Sequence, residues 1–138
     1  MSSDPGELVP FKPFGFQPVF QVRDIAASLV WYRDKLGFTI DFVEGDPPAH
    51  ARIVADPTYA APTVHLRFEP LQSEKAPFAG AEVWMHVDNS IDVLYERYVE
   101  RGVKIVEPIE DKPWGLRMFV IEDPDGYRLV IVAEPASA

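Results

Sequence analysis

Displaced by 65 residues, this chain repeats its own order of elements, and that constrains its fold more than any single motif does. Val22 falls on Val87, Leu29 on Leu94, Gly37 on Gly102, Ile40 on Ile105 and Arg52 on Arg117. Those identities alone are near chance. The repeat lies in the coincidence of a strand, a capped helix, a glycine stop and three further strands in one register. In the first unit, strand-like residues 16–22 lead to Asp24, a helix-capping residue. Ile25, Leu29, Tyr32 and Leu36 follow at helical spacing, and Gly37 closes the helix. In the second, 81–87 lead to Asn89 as the cap, then Ile91, Leu94, Tyr95 and Tyr98, then Gly102. Strands are expected at about 38–44, 50–55 and 62–68, and again at about 103–109, 116–122 and 127–134.

The last two strands are joined by Asp123-Pro124-Asp125-Gly126, a type I turn signal in which Pro presets φ and Gly accepts a positive φ. The expected fold class is therefore α+β, with two βαβββ modules in one chain. Module one spans about 16–69, module two about 81–134, and residues 70–80 link them within a single domain, 16–138. Residues 1–15 form an N-terminal extension. Phe11, Phe14 and Phe16, in and just after it, are available to pack on a neighbour.

Alternation sorts each strand into two faces. Val83, Met85 and Val87 oppose Glu82, Trp84 and His86; Val64, Leu66 and Phe68 oppose Thr63, His65 and Arg67; Pro18, Phe20 and Val22 oppose Gln17, Val19 and Gln21. The first set of each suits the helices. The second mixes polar and aromatic groups, the lining of a small-molecule cleft or of a half-solvated sheet or dimer contact.

The rest of the composition mainly excludes. With no cysteine there is no disulfide, thiolate metal site or cysteine nucleophile. There is no glycine-rich phosphate loop, nucleophile elbow or HExxH motif. Twenty-two acidic residues against 13 basic ones argue against a nucleic-acid partner, and a net charge of -9 would suit a cationic guest or simply solubility. No segment approaches the ~20 apolar residues of a membrane span, and the N-terminus has no signal-peptide pattern. The expectation is a soluble, cytoplasmic protein.

Three stretches carry a resemblance: Val22 to Phe38 (V-x-D-I-A-A-S-L-x-W-Y-R-D-K-L-G-F), Glu107 to Gly115 (EPIEDKPWG) and Asp123 to Tyr127 (DPDGY). Together they resemble the glyoxalase, bleomycin-resistance and extradiol-dioxygenase superfamily, also called vicinal oxygen chelate, over roughly residues 16–134. The Pro-Trp-Gly segment is similar to the bleomycin-resistance branch. The resemblance implies modules that curve into cupped mixed sheets with the helices outside, and a homodimer.

It also implies candidate residues. Metal-binding members take ligands at positions that here fall on Gln17, His65, Glu82 and Val130, with Gln17 to Glu82 and His65 to Val130 both 65 apart. Imidazole and carboxylate suit Zn, Fe, Ni or Mn, and Gln is a weaker ligand, but Val130 cannot ligate. His86, further along the Glu82 face, substitutes only if the metal sits off centre. His50 is expected at the surface. In the bleomycin-resistance branch a planar cationic drug lies against aromatic side chains. That places Trp84 and Trp114 as stacking surfaces, with Gln17, Gln21, His65, Arg67, Glu82 and His86 around them. Trp114 is alternatively a core residue, and Trp31 an exposed edge or dimer contact. Glu107, Glu110 and Asp111 either attract a cation or form a solvated loop.

The leading expectation is a small-molecule-binding protein, without a cofactor, that sequesters a cationic antibiotic without turnover. The alternative is a divalent-metal-dependent lyase, epimerase, dioxygenase or thiol transferase using Gln17, His65 and Glu82. A third reading, a module acting only through its dimer surface, requires no small ligand.

Overall fold

The computed structural model describes residue 10 and residues 16–58, 65–71 and 82–134. The first module runs β1 (Val19–Val22), α1 (Ile25–Leu36), β2 (Thr39–Glu44), β3 (His50–Val54) and β4 (His65–Pro70). The second runs β5 (Glu82–His86), α2 (Ile91–Glu100), β6 (Lys104–Asp111), β7 (Arg117–Glu122) and β8 (Arg128–Ala133). Each makes a four-stranded mixed sheet, ordered β1-β4-β3-β2 and β5-β8-β7-β6. The first strand of each lies parallel to the last, because the helix carries the chain over the sheet before the antiparallel meander begins. The expected α+β fold of two βαβββ modules is the observed one. The start of the strand expected at 62–68, most of the linker 70–80 and residues 1–9 and 11–15 lie outside the described residues; Phe16 is 87% exposed.

Local chemistry accounts for the helix ends. The Asp24 carboxylate accepts from the Ala27 backbone N–H at 3.1 Å and opens α1, while Gly37, at φ 81°, closes it as the left-handed cap. At α2 the expectation of Asn89 is corrected: the N-cap is Ser90, whose own side chain makes no capping bond. The Asp88 carboxylate instead accepts from the Ser90 N–H at 3.0 Å, an Asx turn that spends the cap position on the preceding loop.

The helix-facing sides of both sheets close over one core that runs through Phe20, Tyr32, Phe68, Tyr98, Phe119 and Ile131. Two sets of contacts bind the modules together. At one end the DPDG turn of module two docks on β1 and α1. Tyr127 stacks on Phe20 with ring centres 3.9 Å apart and donates its hydroxyl to the Gln21 carbonyl at 2.8 Å. Buried Asp123 accepts from the Tyr32 hydroxyl at 2.8 Å and from the N–H groups of Asp125 and Tyr127, each at 2.9 Å. At the other end Tyr98 donates to the Leu36 carbonyl at 3.2 Å, and Lys35 to the Arg101 carbonyl at 2.7 Å. The turn motif is thus a latch between modules as well as a hairpin.

The repeat is not uniform. Ile40 pairs with Ile53, and Ile105 with Ile121, so the third strands are displaced by 68 residues. Val19 pairs with Arg67, and Trp84 with Val130, so the fourth strands are displaced by 63. A longer β6, eight residues against six in β2, adds to the shift, and the tight DPDG turn subtracts from it.

Candidate functional site

The faces sort as alternation requires. Leu66 and Phe68 are buried, while His65 and Arg67 are half-buried; Val83 and Met85 are half-buried, while Glu82, Trp84 and His86 are exposed. Where the edge of sheet two meets the start of β4, a cavity of about 350 Å³ opens between the modules. His65 and Phe38 contribute from module one, and Val83, Trp84, Met85 and His86 from module two. The volume falls at the lower end of the roughly 300–1,000 Å³ range of small-molecule sites. A further hollow of about 450 Å³ toward the helix ends shares Phe38, Ala55, Met85 and His86 with it.

Trp84 dominates this seam. Its indole is 44% exposed on edge strand β5, and its Nε1–H donates to the Glu82 carboxylate at 2.9 Å. That bond, between side chains two residues apart on one face, holds the ring and leaves its face open. Gln17 Nε2 lies 3.4 Å from His65 Nδ1. With Nδ1 accepting, the neutral ring carries its proton on Nε2, as a donor toward a guest. Gln21 gives its backbone carbonyl to Tyr127, and its side chain is exposed.

Trp114 stands elsewhere. Lys112 to Gly115 form the β6–β7 turn, with Gly115 at φ 90° and its N–H donating to the Lys112 carbonyl at 3.0 Å. The indole is 61% exposed, so it is not a core residue, and Lys112 Nζ already sits 5.8 Å from its ring centre. Strands β8 and β7 separate it from β5, about 14 Å across the sheet. One planar ring cannot stack on Trp84 and Trp114 of the same chain together. Trp31 is half-buried, edge-on to Tyr32 at 5.0 Å. His50 is half-buried, 3.7 Å from the Glu69 carboxylate.

A sequence model described as the Glyoxalase/Bleomycin resistance protein/Dioxygenase superfamily matches residues 16–131. The chain belongs to that superfamily. No curated protein matches it in sequence. Among solved structures, a superfamily member from Sphaerobacter thermophilus is 25% identical, with a TM-score of 0.70 over 89% of this chain and 98% of that one. TioX from Micromonospora sp. ML1 is 20% identical, with a TM-score of 0.70 over 87% and 98%. The bleomycin-binding protein from bleomycin-producing Streptomyces verticillus, complexed with copper(II)-bleomycin, is 22% identical, with a TM-score of 0.68 over 91% and 98%.

The metal positions implied for the superfamily are poorly furnished here. Val130 is 2% exposed, packed with Met118, Val120 and Val132 on the face of sheet two turned away from the helices. The 65-residue displacement that paired it with His65 fails at this strand. Val130 lies beside Trp84 as Arg67 lies beside Val19, so the counterpart of Val130 in module one is Arg67. A guanidinium and an isopropyl group occupy the two equivalent last-strand positions. Of the remaining donors, Glu82 is bonded to Trp84 and Gln17 to His65. Among the described residues no three His, Asp or Glu side chains gather closely enough to hold an ion. This donor set does not fit a divalent cation.

Sequence reasoning missed Phe42. A bulge between Ile40 and Phe42 turns Phe42 onto the face of Arg52 and Arg67, whose guanidinium carbons lie 4.9 and 5.8 Å from its ring centre. Strict alternation would have put it in the core beside Ile40, and no turn residue in the strand marks the bulge.

Proposed function

We propose that the chain is a metal-free small-molecule-binding protein that sequesters its guest in the seam between the modules, against the face of Trp84, without turning it over. The observation that carries this reading is an open indole, held edge-on by Glu82, beside a cavity of about 350 Å³ with two imidazoles. An indole face supplies apolar area and quadrupole attraction, and the imidazoles supply directional hydrogen bonds, so affinity needs no reacting group. The likeness to a bleomycin-binding protein favours a bleomycin-resistance-like role.

The cationic guest expected from the net charge is less well served. Among the described residues no carboxylate lines the cavity, and the Trp114 ring already has a lysine ammonium near it. The metal-dependent enzyme reading lacks support because the last-strand positions carry Arg67 and Val130. A homodimer belongs to the same proposal, and analytical ultracentrifugation measures it directly.

The test is a calorimetric titration with a panel of small aromatic compounds, with and without Zn, Fe, Ni and Mn. Metal-independent binding that Trp84→Ala weakens by about tenfold or more, and Trp114→Ala leaves within about twofold, supports the proposal. Binding that requires a metal, or metal-dependent turnover, contradicts it.

A further inference from the structure

Among the described residues Arg67 is a charged group without a counter-charge. It is half-buried in the middle of β4, and its Nε is buried with no hydrogen-bond partner. Among the described residues its guanidinium makes no ion pair. Its one ring contact is Phe42, at 5.8 Å.

Two acids of its own sheet, and one on sheet two, are engaged elsewhere. Asp41 takes the Arg52 guanidinium, with Nε donating at 2.7 Å. Glu69 lies 3.7 Å from His50. Glu82, on β5, accepts from Trp84. Arg52 itself is the cross-strand partner of Arg67. Two like charges directly opposite one another destabilise a sheet, and a partly buried charge without a partner costs more still. Asp41 offsets only one of the two.

We propose that Arg67 holds an anionic group of the guest, a carboxylate above all, so that the ligand class is an aromatic carboxylic acid. Arg67 shares its face of β4 with His65, and residues i and i+2 of a strand are separated by about 6.6 Å. An acid group at Arg67 therefore leaves the ring within reach of the cavity that His65 lines with Trp84. The guanidinium fork suits a planar carboxylate, and the His65 ring, with Nδ1 accepting from Gln17, adds an Nε2–H donor on the way. This inference rests on the seam being the binding site, and it reverses the sign of guest that the overall charge suggests. Net charge acts at long range, whereas Arg67 would act on the guest by direct contact.

The test uses three isosteric probes, 2-naphthoate, 2-naphthalenemethanol and 2-naphthylmethylamine, titrated calorimetrically into the full chain. The wild type is expected to bind the carboxylate about tenfold more tightly than the alcohol, and the amine most weakly. Arg67→Met keeps the stem and removes the charge. It is expected to bring carboxylate and alcohol within about threefold of each other while leaving the alcohol's affinity unchanged. Arg67→Gln also removes the charge, is expected to bring the two probes equally close, and carries the test alone if the methionine variant does not fold by circular dichroism. Equal binding of all three probes, preference for the amine, or a carboxylate preference that survives the loss of charge overturns this inference and leaves the seam intact. Failure of all three probes to bind overturns the seam itself.

Discussion

Asp123 shows how a turn residue acquires a structural burden. Burial, the largest cause, raises its carboxyl above the usual 3.8 even though Tyr32 and two backbone N–H groups donate to it. Burial and the nearby Asp123 likewise hold the Tyr32 phenol well above 10.0, so it remains a donor at neutral pH. Asp123→Ala strands those three donors and is expected to cost about 2–4 kcal/mol in chemical denaturation. The sign of the pH effect follows from the raised value. The folded chain binds this proton more tightly than the unfolded chain, so the contribution is full below 3.8 and is lost as pH rises through the raised folded value. Asp123→Asn cannot titrate, so wild-type stability relative to it should fall as pH is raised from about 3 to neutrality. A difference that grows with pH would contradict the assignment. Sequence alone read Asp123 as the opening of a type I turn; that it also receives Tyr32 from the other module depends on packing across 91 positions.

The elements were legible where periodicity is strong. Both helices, both glycine stops and all eight strands stand close to the spans that spacing gives, because helical and alternating apolar spacing each admit few solutions. What failed were features that one residue decides. The α2 cap moved from Asn89 to Ser90 because Asp88 competes for the Ser90 N–H. Phe42 changed face at a bulge, and the 65-residue offset became 63 at β8 because the two hairpins differ in length. The caps give a paired prediction. Asp24→Ala should cost about 1 kcal/mol because its side chain caps α1, whereas Ser90→Ala should fall within about 0.5 kcal/mol because its side chain caps nothing. At Gly37 and Gly102, φ is 81° and 75° and nothing lies within 4 Å of an added Cβ. Alanine at either is expected to cost only the backbone strain, about 1 kcal/mol, read as a shift in the urea midpoint at unchanged slope.

At the scale of the whole molecule, one core and two end latches join the modules, so thermal unfolding should be a single transition, coincident in near- and far-ultraviolet circular dichroism. Two separated transitions would mean that the modules melt independently. The site follows from the same union. His65 and Trp84 lie on different modules, and alternation announced the face of each but could not say that the seam would bring them to one cavity or leave Trp114 far across the sheet. The most direct test of that union watches the three indole N–H resonances in a nitrogen-15 correlation spectrum during titration with 2-naphthoate, each assigned by a Trp→Phe variant. The Trp84 resonance should shift saturably while those of Trp31 and Trp114 hold still. Saturable movement confined to Trp114 or Trp31 would contradict a binding site at the seam.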